Sequence, residues 1–106
     1  MKHLENALKA VAENQLGDKK VSDFISVEGN KLAIEIQDGV IPENGINGVQ
    51  ITDVLEYVKE VYESLNADFR CRENALTITK IEEGLHWQEA RTQNRLKRKV
   101  EGQNKS

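Results

Sequence analysis

A chain of 106 residues is one domain by length, and its 38% hydrophobic and 5% aromatic content implies a modest, aliphatic core, while its mixed 31% of charged residues excludes wholesale disorder. The single cysteine, Cys71, excludes an intramolecular disulfide and a multi-cysteine zinc site. The net charge of -3 divides into +5 over residues 91–106 and -8 over residues 1–90, the pattern of an anion site on an acidic body and not of a general binder of nucleic-acid polymers.

Residues Lys2 to Gln15 read as a short helix, with Leu4, Leu8, Val11 and Ala12 at helical spacing and Gly17 as its stop. A strand-like run from Val21 to Val27 follows. After Glu28-Gly29-Asn30, the run Lys31 to Gln37 alternates Leu32, Ile34 and Ile36 with Ala33, Glu35 and Gln37. That is the period of a half-buried strand, and the short Gly-Asn link predicts a β-hairpin. Asp38 to Gly48, with four of its residues Gly or Pro, reads as a loop. A helix over Ile51 to Leu65 carries Ile51, Val54, Leu55, Val58, Val61, Tyr62 and Leu65 as one stripe. Asn66-Ala67-Asp68 is the expected turn, with Asp68 as N-cap of the next helix.

That last helix is predicted from Phe69 to about Arg98, roughly 45 Å at 1.5 Å per residue. A compact domain of this size has a radius of gyration of only about 13 Å. The helix must therefore protrude, and its apolar residues Phe69, Cys71, Ala75, Leu76, Ile78, Ile81, Leu85 and Trp87 outrun what one shorter helix can cover. A homo-oligomer packed helix to helix is the expected remedy, because small chains bury a smaller share of their surface than large ones. The fold class is α+β: residues 1–37 as helix plus β-hairpin, 38–102 as loop and helical hairpin, 103–106 as tail. The start lacks the apolar stretch of a signal peptide, and no segment approaches the roughly 20 apolar residues needed to span a bilayer. A cytoplasmic protein without a membrane partner is expected.

Several constellations could carry chemistry. Trp87, Arg91, Arg95 and Arg98 fall on one helix face, offering a stacking surface and forked donors that match phosphate oxygens. The plainer reading is a basic last turn that complements the helix dipole, with Trp87 in the core. Glu83 and His86 have the Glu-x-x-His spacing of di-metal carboxylate bundles, but those sites need a second such motif and further glutamates on facing helices, which only a symmetric oligomer could supply. An exposed acidic patch beside a surface histidine is the simpler reading. Cys71, between Arg70 and Arg72, could be an activated thiol, yet no base accompanies it, and a small buried stripe residue is the simpler reading. Gly84 inside the helix suits a close helix approach. Gly45-Ile46-Asn47-Gly48 could aim amides at an anion or simply form a tight turn; it lacks the Lys-Ser or Lys-Thr of a P-loop. No catalytic residues, metal site or cofactor is expected.

Three blocks decide between these readings: Gly45 to Leu55, Phe69 to Glu83 with Trp87, and Arg91-Thr-x-x-Arg95-x-x-Arg98-x-Val-Glu-Gly102. In that order and spacing they resemble the phage anti-Thoeris proteins of the first type, which share a helical hairpin domain with the phage anti-CBASS sponges. The resemblance covers residues 38–102. It implies a non-enzymatic sponge acting in the cytoplasm of the infected bacterial host, where it would hold the glycocyclic ADP-ribose signal of Thoeris immunity intact. It further implies dimers or trimers of dimers, a ligand pocket between subunits, and a second capacity of related proteins for cyclic di- and trinucleotides. Carried over, Arg91 and Arg95 are the expected phosphate ligands, Asn74 a base or ribose contact, and Arg98 and Phe69 further ligand contacts. The chain departs from the family pattern at Gly84, His86 and Lys99. It also lacks, in Ser64, Leu65 and Asn66, the stacking aromatic usual before Phe69.

Overall fold

The computed structural model describes residues 1–105, with side chains described as far as Lys99. The side chains of Val100, Glu101 and Gly102 from the third block, and that of Lys105, lie outside the described residues. The architecture is α+β: a short N-terminal helix, two small antiparallel hairpins, and a helical hairpin whose second arm is long.

Helix α1 (Lys2–Val11) buries His3, Ala7 and Val11, one residue per turn along a single stripe. It stops short of Gln15 because the chain doubles back. The Asn14 and Ala12 carbonyls accept the Val21 and Ser22 amides at 3.0 and 3.1 Å. Between them sits a hairpin of two two-residue strands, β1 (Gln15–Leu16) and β2 (Lys19–Lys20), closed by Gly17-Asp18. Gly17, expected as a helix stop, is instead the turn residue, at φ +69°. The run expected as a strand from Val21 opens with one turn of 3-10 helix at Val21–Asp23, where Asp23 Oδ2 accepts the Lys20 amide at 2.9 Å. Only then do β3 (Ile25–Glu28) and β4 (Lys31–Ile34) form the expected hairpin, with Ile25 opposite Ile34 and Glu28 opposite Lys31.

Past Ile34 the chain pairs with the approach to the next helix. Val49 donates to the Glu35 carbonyl at 2.9 Å, Gln37 donates to Val49 at 2.8 Å, and Ile36 bridges Val49 in parallel. Gly48 permits this approach: a Cβ there would lie 2.7 Å from the Glu35 carbonyl oxygen and closer still to the backbone of Ile36 and Gln37. The loop beyond contains α2 (Ile41–Asn44), with Pro42 in its first turn. Asn47 clips its ends together, accepting the Asp38 amide at 2.8 Å and donating to the Asp38 carbonyl at 2.9 Å.

Helix α3 (Ile51–Asp68) starts with Asp53 Oδ2 accepting the Gln50 amide at 2.8 Å. Its apolar residues do not form one stripe. Val54 and Val61, with the fully buried Tyr57 between them, face the core, while Ile51 and Val58 stay exposed. The Tyr57 hydroxyl donates to the Leu4 carbonyl at 2.9 Å, and burial pushes its phenol up from 10.0. α3 continues through Asn66-Ala67-Asp68, so Asp68 ends one helix and does not cap the next. The turn is Phe69-Arg70-Cys71, and Cys71 Sγ accepts the Asn74 amide at 3.4 Å in the capping position. Helix α4 (Arg72–Lys105) then runs for 34 residues, about 51 Å.

The core comprises Ala7, Val11, Val21, Ile25, Val49 and Tyr57, with Leu8, Leu16, Phe24 and Ile34 packed around it. It lies between α1, the hairpins and α3, not between the arms of the helical hairpin. α4 half-buries Asn74, Thr77, Ile78, Ile81, Gly84 and Leu85, and every described residue after Ala90 is exposed. The expected protrusion follows: the chain measures 55 × 30 × 18 Å with a radius of gyration of 16.4 Å.

The first expected outcome concerns the Gly48 contact. Gly48→Ala forces backbone, not a flexible side chain, to move, and should cost about 3 kcal/mol in a urea denaturation midpoint. The second concerns the clamp of α1 on α3. Lys2 Nζ lies 2.6 Å from Asp68 Oδ2, and this hydrogen bond and charge hold the Asp68 carboxyl below its ordinary 3.8. Its folded value being the lower one, the clamp contributes at pH above 3.8 and is lost as pH falls through that lower value. In Lys2→Ala, an NMR titration of the Asp68 carboxyl carbon should move back toward 3.8, with little change in melting temperature.

Candidate functional site

The expected ligand residues fall into two groups. Phe69 and Asn74 belong to the tight connection between α3 and α4. The Phe69 amide donates to the Leu65 carbonyl at 2.8 Å, and its own carbonyl accepts the Asn74 Nδ2 at 3.1 Å. Asn66 Oδ1 accepts the Cys71 amide at 3.2 Å, tightening the same turn. Asn74 thus has a structural duty that its assignment as a ligand contact did not include. The Phe69 ring, expected on the helix, stands in the turn at 66% exposure. Ser64, Leu65 and Asn66, expected near that turn, are within α3.

Arg91, Arg95 and Arg98 lie on the uncovered part of α4, and none forms an ion pair among the described residues. Lysine stems and guanidinium groups there line an open depression of about 700 Å³, bounded by Thr92, Arg95, Leu96, Arg98 and Lys99. All five residues come from α4, so the depression has one wall. Trp87 is not in the core: it is 69% exposed, and its ring neighbour is His86, edge-on at 5.8 Å. Arg98, Arg95 and Arg91 with Trp87 therefore present a basic and aromatic face to the outside, as their spacing predicted.

The two groups do not meet within one chain. Asn74 and Arg91 are 17 residues apart on a continuous helix, about 26 Å, and Asn74 and Arg95 about 32 Å. A further groove separates them, lined by Asp53, Glu56, Glu82, His86, Glu89 and neighbouring residues of α3 and α4. Its acidic lining suits no phosphate.

The remaining constellations have simpler roles. Glu83 lies 3.5 Å from Lys80 as a surface ion pair, and among the described residues no three of His, Cys, Asp or Glu gather as metal ligands. Cys71 is exposed and caps α4, a correction to the buried stripe position expected for it. The amides of Gly45 and Asn47 are taken by the Ile41 carbonyl and by Gln37 Oε1, which builds the Gly45–Gly48 segment as a turn. Gly84 is not required by contact with α3, since a Cβ there would meet Leu55 at an ordinary 3.8 Å. Sequence reasoning missed His3, which is buried between α1 and α3. The i, i+4, i+8 placement of His3, Ala7 and Val11 was the signal that could have found it. Among the described residues no helix is long and apolar enough to cross a membrane.

Comparison with known proteins bears on these residues directly. The family model described as "Acb2/Tad1, hairpin domain" matches residues 28–93, so it takes in Phe69, Asn74 and Arg91 and ends before Arg95 and Arg98. The chain is 41% identical over 83 residues to a protein named Thoeris anti-defense 1 from Bacillus phage SBSphiJ7, a match covering 77% of this chain and 56% of that relative. The chain thus spans little more than half the length of the curated relative it matches. No solved structure matches it. With well over half of its residues matched by the family model, and with the helical hairpin in place, the chain belongs to the Acb2/Tad1 hairpin domain family.

Proposed function

We propose that this protein is a non-enzymatic anti-Thoeris sponge, binding and sequestering a glycocyclic ADP-ribose signal in the cytoplasm of an infected bacterium. The observation that carries the reading is the row of guanidinium groups, led by Arg91 and Arg95, that form no ion pair among the described residues of an otherwise acidic chain of this family. Paired guanidinium groups one helical turn apart suit the two phosphates of an ADP-ribose unit. The relative's name, Thoeris anti-defense 1, gives the defence system that such a ligand would serve.

The separation of the two residue groups supports assembly. A ligand of roughly three dozen non-hydrogen atoms cannot bridge 26 Å of helix, but an antiparallel second copy would set the Phe69 turn of one chain beside the arginines of the other. It would also supply the second wall of the depression over Arg95 and Arg98. The exposed apolar residues Val58, Leu76 and Trp87 give such a copy something to cover. A dimer, or a trimer of dimers, is the assembly that follows.

The energetics are sufficient without covalent chemistry. Nanomolar binding needs about -12 kcal/mol. A ligand of this size gains on the order of -11 at about -0.3 kcal/mol per atom. Within that total, charge-assisted hydrogen bonds from Arg91 and Arg95 are the main polar contributions, at about 1.5–3 kcal/mol each.

Arg91→Ala and Arg95→Ala should each weaken glycocyclic ADP-ribose binding by tenfold or more in isothermal titration, with sedimentation of the oligomer unchanged. Unaltered affinity in both variants would discard the site. Dilution through the dimer dissociation range should shift Trp87 emission to the red, as its ring passes from an interface into water. The direct test is capture and release: protein is mixed with the signal, free ligand is filtered away, and the protein is heat-denatured. Recovery of active signal establishes sequestration; loss of signal from both fractions means an enzyme. Signal left in the filtrate turns the search to cyclic di- and trinucleotides.

A further inference from the structure

The exposed Phe69 ring has one ring partner among the described residues, and it comes from a distant part of the chain. His3, on α1, stands 6.4 Å from Phe69 between ring centroids at an interplanar angle of 63°, an edge-type aromatic pair. Among the described residues, His3 is the one buried residue that is polar or charged, at 9% exposure. Burying an imidazole is costly unless its nitrogens are satisfied. Here Nδ1 lies 2.8 Å from Ser64 Oγ, and Nε2 faces Asp68 Oδ2 at 3.7 Å. Asp68 is in turn held by Lys2, and Ser64 also accepts from Asn6 at 3.0 Å. The imidazole is therefore held through Nδ1 before it meets Phe69, while the Asp68 carboxylate lies beyond hydrogen-bond reach of Nε2.

The backbone of Phe69 is fixed as well, by Leu65 and Asn74. What those bonds leave free is the rotation of its side chain. A ring at 66% exposure with no neighbour would sample several rotamers, and ordering it on binding would weaken any stacked ligand. His3 blocks part of that space while leaving a large part of the ring open.

We propose that His3 is a positioning residue that sets the Phe69 ring as a platform for the planar base of a nucleotide ligand. The proposal rests on the reading of Phe69 as a ligand contact. It gives the N-terminal helix, which lies outside the family-matched residues 28–93, a part in recognition. A hydrophobic residue at position 3 would serve the core at least as well, since the imidazole needs Ser64 to be tolerated there.

The test is a double-mutant cycle read by titration with glycocyclic ADP-ribose, on the parent chain, His3→Gln, Phe69→Ala and the double variant. Gln can keep a hydrogen bond to Ser64 and loses the ring. His3→Gln should bind roughly three- to tenfold more weakly, and should cost nothing further in the Phe69→Ala background. Equal losses in both backgrounds would mean a general structural role and overturn the proposal, as would parental affinity in His3→Gln. Phe69→Ala binding like the parent while Arg91→Ala fails would overturn it too, yet leave the sponge reading standing. A ligand-free measurement separates the two further. Cross-relaxation between the His3 and Phe69 ring protons should be seen by NMR, and the Phe69 ring shifts should collapse toward free values in His3→Gln. Absence of that contact overturns the proposal whatever the ligand. If His3→Gln fails to fold, Ser64→Ala releases Nδ1 and should lower affinity in the same direction; unchanged affinity there counts against the proposal equally.

Discussion

The two arms of the helical hairpin differ in length by nearly a factor of two, and most of the molecule's character follows from that mismatch. α3 has 18 residues, about 27 Å, against 34 residues and about 51 Å for α4. No neighbour follows α4 beyond Ala90 among the described residues, and the chain puts three of its five arginines there. The uncovered helix end is thus a place where charge is kept in water, with no ion pair to its arginines among the described residues. Even alongside α3, one helix covers only one side of α4, so Leu76 and Trp87 face outward at 46% and 69% exposure.

α3 is the shared wall of two different contacts. On one side Val54, Tyr57 and Val61 complete a core with α1 and the hairpins. On the other, Leu55 lies against Gly84 of α4. A helix with two apolar faces needs two partners. In this chain the N-terminal partner is snug, with Tyr57 fully buried and bonded to Leu4, while the C-terminal partner leaves half-open grooves. The residues proposed to bind ligand sit on the looser side, where a ligand or another subunit can still reach them.

The periodic features of the sequence were the legible ones. Leu32, Ile34 and the Gly29-Asn30 link announced the β3–β4 hairpin, and the charge division announced the basic end of α4. The failures share a cause: two or three residues decided a local structure against the longer pattern. Gly17-Asp18 made a hairpin too short to show alternation, and Asp23 capped a 3-10 turn inside an apparent strand. The helical pattern from Ile51 gave no reason to prefer a turn at Asn66-Ala67-Asp68 over one at Phe69-Arg70-Cys71; the tie is broken by Lys2 and Cys71, through contacts the linear pattern does not contain. Tyr57 escaped notice because only the approach of α1 shows which side of α3 is inward. Arg91, Arg95 and Arg98 were readable as one face from spacing, and what spacing could not supply was the exposure of Trp87 and the place of Phe69 in the turn.

The contacts that seat α1 are also the most remote along the chain. Tyr57 to Leu4 spans 53 residues, Ser64 to His3 spans 61 and Asp68 to Lys2 spans 66. During synthesis the first helix leaves the ribosome long before its wall exists. At translation rates of about 5–20 residues per second it waits roughly 3–13 s with Ala7 and Val11 uncovered. A helix of ten residues does not hold together alone in water. α1 therefore needs α3 present before it can settle, which ties the order of the first helix to residues 51–68.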